Sequence, residues 1–447
     1  MSVMSQNGML ARMRPPSMKR PTVVSVLDMG SSKTCCLVAR LTPREESRVL
    51  PGRTHRIEVL GIGHQRSRGV KSGVVTDLAG CEQSIRLAVD AAERMAGVTV
   101  ESLIVSLSAG RLISEAFTAD ISLGGHAVTS EDVSRVLRAG AEHALAPERS
   151  VVHSLPINFS LDGDEGVTDP KGMIGEKLGV NMHVATAENA PIRNLELCIN
   201  RAHLSIEAMV AAPYAAGLAA LVDDETQMGC ACIDMGGGTT TLSVFMDGRF
   251  VFCDAIAIGG HHVTMDLARG LSTRLEDAEK LKILHGSVLA GAGGEDDVVS
   301  VPLIGDDHGD APHQVPRSQI ARIIRPRIEE TLELIRDRLA KSGFAGVVGK
   351  RIILTGGASQ LNGLGEVARR VFAKHVRLGR PMGISGMPDA AKGPAFAAAT
   401  GLLIYPQMAQ LEHFNARGPF AGRRMANSMT GTGGPFAKFG NWLMESF

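Results

Sequence analysis

Val24-Ser-Val-Leu-Asp28-Met-Gly-Ser-Ser-Lys-Thr34 and Cys230-Ala-Cys-Ile-Asp234-Met-Gly-Gly-Gly-Thr-Thr240 carry one pattern twice. Each begins with an apolar run that ends on Asp, turns through Gly and small residues, and starts a second apolar run. The reading is strand, tight turn, strand. The two aspartates stand 206 positions apart, about half of a 447-residue chain. Glycine reaches conformations that let backbone N–H groups converge on an anion. In that frame Gly30, Ser31, Ser32 and Lys33 on one side, and Gly236, Gly237, Gly238, Thr239 and Thr240 on the other, are candidate phosphate contacts. Asp28 and Asp234 end their strands where a hydrated Mg²⁺ can sit, since Mg²⁺ keeps its waters and takes few carboxylates. A single copy would be read as an ordinary hairpin with a Gly-rich turn. Two matched copies, each led by Asp, turn the reading to a clamp on a Mg-nucleotide.

A third segment agrees. Ile352-Ile-Leu-Thr355-Gly-Gly-Ala-Ser359 is a strand followed by paired glycines and a helix start. Gly356, Gly357, Ala358 and Ser359 there would let a nucleoside approach the backbone. No GxxxxGK[ST] sequence occurs, which excludes a P-loop.

The rest of the composition narrows the class. Lys+Arg and Asp+Glu both number 47, and zero net charge argues against broad nucleic-acid binding. The 44% hydrophobic and 21% charged fractions are those of a globular chain with a sizeable core. The seven cysteines sit mostly in apolar runs and read as reduced, buried thiols. His261-His262 has no ligand partners by spacing and reads as a turn or core feature.

These residues resemble the actin, Hsp70 and sugar-kinase superfamily. Asp28-Met-Gly-Ser-Ser-Lys33 resembles its first phosphate motif, Ile233-Asp-Met-Gly-Gly-Gly-Thr-Thr240 its second, and Ile353-Leu-Thr-Gly-Gly-Ala-Ser359 its adenosine motif. Ala278-Glu279-Lys-Leu-Lys282 resembles the ribose and adenine segment, which adds Glu279 and Lys282 to the nucleotide contacts. Ala211-Ala-Pro-Tyr-Ala-Ala-Gly217 and Pro394-Ala-Phe-Ala-Ala-Ala-Thr-Gly401 resemble the two connecting helices. Within the superfamily the pattern is most similar to the FtsA cell-division family. The implied fold class is α/β, an actin-like (ribonuclease H-like) duplicated nucleotide-binding fold with an inserted α/β subdomain and a C-terminal amphipathic helix.

The resemblance divides the chain as follows. A disordered tail (1–21) precedes the first part of domain 1A (22–97), an inserted subdomain 1C (98–179) and the second part of 1A (180–222). Domain 2A (223–260) is interrupted by 2B (261–345) and resumes over 346–405, before a flexible linker (406–433) and a membrane-targeting helix (434–447). It implies ATP and Mg²⁺ as cofactors and assembly with copies of itself into an actin-like polymer. It further implies a place on the cytoplasmic face of the cell membrane at the division site. The implied partners are the tubulin-like protein FtsZ and later division proteins. Arg325, Arg327 and Glu330 on the helix over 318–341 are candidate FtsZ contacts. Where actin and Hsp70 carry Gln or Glu near the attacking water, this sequence has Ala211-Ala212-Pro213, so hydrolysis is expected to be slow. The alternative is a phosphotransferase of the sugar-kinase kind on the same fold.

The last fourteen residues carry their own signal. At about 100° per residue, Phe436, Phe439, Leu443 and Phe447 share roughly 80° of arc, with Trp442 at the margin and Lys438, Asn441 and Glu445 opposite. That is the layout of a membrane-surface helix. Trp442→Glu is expected to move the protein from the pellet to the supernatant in liposome sedimentation; unchanged binding counts against the anchor.

Overall fold

The computed structural model describes residues 13, 15–44, 53–108, 111–142, 148–289, 297–305 and 313–412. The membrane-helix residues Phe436, Phe439, Trp442, Leu443 and Phe447 lie outside them.

The opening motif forms the hairpin β1 (Thr22–Met29) and β2 (Lys33–Pro43), continued antiparallel by β3 (His55–Arg66). After the short hairpin β4 (Val70–Lys71) and β5 (Val74–Val75), α1 (Leu78–Ala96) crosses over the sheet. Asp77 caps it by accepting the Ala79 N–H at 3.0 Å, and Gly97 ends it in the left-handed region. Its stripe of Cys81, Ile85, Ala88, Val89 and Ala92 is buried, as the helical period requires. The crossover returns the chain as β6 (Ser102–Leu107), parallel to β1. This strand belongs to the main sheet, so the inserted unit does not begin at 98 as expected.

The insert is a separate four-stranded sheet. Its elements are β7 (Ile113–Ser122), α2 (Ser130–Glu142), β8 (Arg149–Leu161), β9 (Asp164–Val167) and β10 (Lys177–Glu188), in the order β7-β10-β8-β9. Its expected end at 179 also shifts, because β10 pairs with β7 and β8 as far as residues 186 and 188. The main sheet resumes with α3 (Asn189–Arg201) and β11 (Ser205–Ala211), and α4 (Ala212–Ala220) follows directly.

After the short α5 (Asp223–Met228), the pattern repeats as β12 (Cys230–Met235), β13 (Thr240–Met246) and β14 (Arg249–Ile256). A largely helical unit follows, with α6 (Gly260–Gly270), α7 (Leu275–His285), the hairpin β15 (Val298–Val301) and β16 (His313–Pro316), and α8 (Arg317–Lys341). The second sheet is completed by β17 (Arg351–Thr355), α9 (Leu364–Phe372) and β18 (His375–Leu378). Then β19 (Ile384–Ser385) adds to β3 of the first sheet, and α10 (Ala397–Met408) closes the fold.

The duplication extends beyond the hairpins. The first sheet runs β11-β6-β1-β2-β3 and the second β18-β17-β12-β13-β14, the same order. Asp28 faces Cys35 across its hairpin and Asp234 faces Thr241, the same register. The connecting helices are exchanged: α4, which leaves the first sheet, packs against β12 and β13, while α10 packs against β1, β2 and β6. They cross so closely that a Cβ on Gly401 would lie 1.7 Å from the Ala215 carbonyl oxygen.

Two expectations at the ends are corrected. Within 1–21, Met13 is buried in the core and the Ser17 carbonyl accepts the His55 Nε2–H at 3.1 Å. The expected linker from 406 begins too early: α10 continues through Pro406 to Met408, and Tyr405, Pro406 and Gln407 are buried. Proline there lacks one backbone donor, but burial of its apolar neighbours keeps the turn in place.

Gly401→Ala is expected to lower the free energy of unfolding by about 3 kcal/mol or more in urea denaturation, because backbone rather than a flexible side chain blocks the methyl.

Candidate nucleotide cleft

The two turns close alike. The Gly30 N–H donates to the Lys33 carbonyl at 3.0 Å, and the Gly236 N–H to the Thr239 carbonyl at 2.9 Å. They face each other at contact distance: a Cβ on Gly238 would come within 2.4 Å of Ser31 Oγ, and one on Gly237 within 2.8 Å of Ser32 Cβ. Ser31 Oγ accepts the Gly73 N–H at 3.0 Å, which fixes the first turn to the β4–β5 hairpin. Between the halves lies a cleft of about 900 Å³.

Asp28 and Asp234 line its floor. Burial pushes both carboxyls up, Asp234 to about 7, with the charge of Asp28 adding to the rise at Asp234. Lys33 opposes the shift in each, and burial lowers its own ammonium. Ser106, which sequence reasoning missed, holds Asp28: its hydroxyl donates to Oδ1 at 2.6 Å while its oxygen accepts the Met29 N–H at 3.1 Å. The Lys33 ammonium donates to the Ala395 carbonyl and stands 3.5 Å above the Phe396 ring centroid. It therefore bridges the first turn to the segment before α10.

The adenosine-like segment forms the far wall. Gly356 has φ +87°, and a Cβ on it would lie 2.2 Å from Asp234 Oδ1, so only glycine fits beside that carboxylate. Gly357 and Ala358 line the cleft. Ser359 does not: it is buried, and its hydroxyl donates to the Gly356 carbonyl at 2.7 Å, closing a 3₁₀ turn. Thr240 is corrected for a related reason. Successive strand residues face opposite ways, so Thr239 lines the cleft while the Thr240 hydroxyl donates to the Ile258 carbonyl at 2.8 Å.

Glu279 and Lys282 line the side wall on α7. The Lys282 ammonium donates to Glu279 at 2.7 Å, Thr264 at 2.9 Å and the Gly260 carbonyl at 3.1 Å, which ties α7 to the start of α6. Ile283 and Leu284 also line the cleft, yet remain 69% and 71% exposed at its edge. The exposure of Ile283 was readable, since two positions after the buried Leu281 it is turned about 200° away around the helix; Leu284, three positions on, shares the face of Leu281 and gave no such signal. Across the rim, exposed Arg66 pairs with exposed Glu276 at 3.3 Å.

The cradle suits a polyphosphate with a divalent cation. The turns bring backbone donors together, two high-pKa carboxylates await a positive charge, and the walls supply apolar surface for a flat ring. Ala212 lines the cleft with a methyl group only.

The FtsZ candidates lie elsewhere, on α8. Arg325 pairs with Glu329 at 2.9 Å, and Arg327 with Asp266 at 2.7 Å and Glu330 at 2.5 Å. Arg327 thus also fastens α8 to α6.

Exchanged helices between duplicated sheets, with a cleft between them, define an actin-like fold. The solved structure titled "PilM-PilN type IV pilus biogenesis complex" shares it, at TM-score 0.59 and 16% identity over 86% of this chain and 98% of that one. The family model "Cell division protein FtsA" matches residues 231–401, and "SHS2 domain inserted in FTSA" matches 109–186, in step with the insert's observed sheet. The chain is 60% identical over 99% of both chains to "Cell division protein FtsA" of Rhizobium meliloti (strain 1021), and 33% identical over 85% of its length and 88% of the relative's to that of Pseudomonas aeruginosa. The chain belongs to the FtsA family of cell division proteins.

The raised carboxyl of Asp234 sets a pH dependence. Between about pH 4, where an unfolded aspartate ionises, and about 7, the folded chain keeps a proton that the unfolded chain has released. Stability therefore falls as pH rises through that window. In metal-free urea denaturation, the loss between pH 5 and pH 8 is expected to be about 2–4 kcal/mol larger for wild type than for Asp234→Asn.

Proposed function

We propose that this chain is a nucleotide-switched scaffold of the division site. It holds Mg-ATP in the cleft and assembles with copies of itself into an actin-like polymer. Its C-terminal helix tethers it to the cytoplasmic face of the membrane, and from there it binds FtsZ and later division proteins. The observation that carries this reading is the cleft itself: paired Asp-led turns in contact across it, with the side chain at Ala212 too short to orient a water molecule.

Each residue then has a task. The backbone N–H groups of Ser31–Lys33 and Gly237–Thr239 take the phosphates, helped by the hydroxyls of Ser31, Ser32 and Thr239. Asp28 and Asp234 hold Mg²⁺ through its waters, and the ion, when bound, neutralises the phosphates and the carboxylate pair together. Glu279 and Lys282 take the ribose, while Gly356, Gly357 and Ala358 meet the nucleoside. Arg325, half-buried beside Glu329, and the exposed Glu330 offer charges to FtsZ, with Arg327 already shared with Asp266. Membership in a division family weighs against the phosphotransferase alternative.

On lipid monolayers with Mg-ATP, electron microscopy is expected to show filaments that recruit added FtsZ. Asp234→Ala should abolish both and weaken Mg-ATP binding at least tenfold, about 1.4 kcal/mol. Rapid ATP turnover by wild type, lost in Asp234→Ala, would replace the switch with an enzyme.

A further inference from the structure

On the opposite side of α4 from its cleft-lining residue lies a buried chain of polar contacts. His153, on β8 of the insert, has no exposed surface. Its Nε2 lies 2.9 Å from the Ala211 nitrogen and accepts that N–H. The ring proton must then sit on Nδ1, which donates to Glu412 Oε1 at 2.9 Å. Glu412 is also fully buried, and its Oε2 has no hydrogen-bond partner among the described residues. Tyr214, Phe250 and Tyr405 hold the imidazole edge-on, at centroid distances of 5.1, 6.3 and 5.9 Å.

Three distant parts of the chain meet here: the insert, the junction of β11 with α4, and the segment that follows α10. Ala211 is the N-cap of α4, and its methyl group can make no capping hydrogen bond. The next residue, Ala212, forms part of the cleft wall. The imidazole thus fixes the backbone from which that wall starts. A buried carboxylate with one oxygen unpartnered is a poor device for stability, since well-packed apolar replacements of buried charges are often neutral or stabilising. Directing the imidazole is a task that an apolar residue cannot perform.

We propose that Glu412 and His153 are positioning residues for the nucleotide cleft, coupling the seating of Glu412 to the affinity for Mg-nucleotide. Glu412 orients the ring, the ring holds Ala211, and Ala211 sets Ala212 against the ligand. Coupling is reciprocal, so bound nucleotide favours the seated Glu412, and a force that unseats Glu412 loosens the nucleotide. This rests on the nucleotide reading above.

The test uses the full chain, Mg-ATP titration, and hydrogen exchange of the peptide containing Ala211. Glu412→Leu is expected to raise exchange at Ala211 at least tenfold and to weaken Mg-ATP about five- to tenfold. Glu412→Gln, whose carbonyl accepts the same hydrogen bond, should restore both to within twofold of wild type. Should Glu412→Leu not fold, His153→Phe supplies the same two readouts. Unchanged Mg-ATP affinity in a folded variant with a loosened Ala211 overturns the coupling and leaves the nucleotide reading intact. Absence of Mg-ATP binding by wild type overturns both.

Discussion

The crossing of α4 and α10 governs the rest of the structure. The two helices meet backbone to backbone at Gly401 and Ala215, and each is packed against the sheet of the other half. A helix built from Ala, Gly and Thr has little side-chain volume, so its burial depends on close approach rather than on large apolar groups. This explains why both connecting segments are rich in small residues and nearly free of charge. It also explains why the two sheets share a core: Cys230, Cys232, Phe245 and Ile353 of the second half pack in one cluster with Leu27, Leu37 and Ile104 of the first. The cleft is the gap that remains above that crossing.

Charge is distributed to suit the same geometry. The ionisable groups that matter most are neither on the surface nor in the core, but at the floor of the gap. Two carboxylates and one ammonium sit where water is restricted, and each shifts toward its neutral form. Elsewhere, burial lowers His183 to about 3, and Arg377 holds the buried Glu225.

Much of this was legible because the deciding signals are local and repeated. Asp28 and Asp234 each end a strand, and the small residues after them can only turn, so the duplicated hairpin, its cleft and most of its lining follow from short stretches. The errors share a cause as well. Ser102–Leu107 reads as a strand in isolation, but its pairing with β1 depends on a crossover helix that local sequence does not specify. Thr240 and Ser359 were chosen by residue type, and strand alternation and a 3₁₀ turn point them away. Ser106 and Glu412 were invisible for the opposite reason: each matters only through a partner 78 or 259 positions away.

The equal register of the two hairpins carries a further consequence. Were both turns identical, the cleft would look the same from either half, and an elongated ligand could lie in it either way round. Orientation is therefore written in the few positions where the copies differ. Ser31, Ser32 and Lys33 stand opposite Gly237, Gly238 and Thr239, two hydroxyls and an ammonium against two bare glycines and a single hydroxyl. One turn offers side chains and the other offers closeness. The duplication supplies the gap, and its imperfection gives that gap a direction.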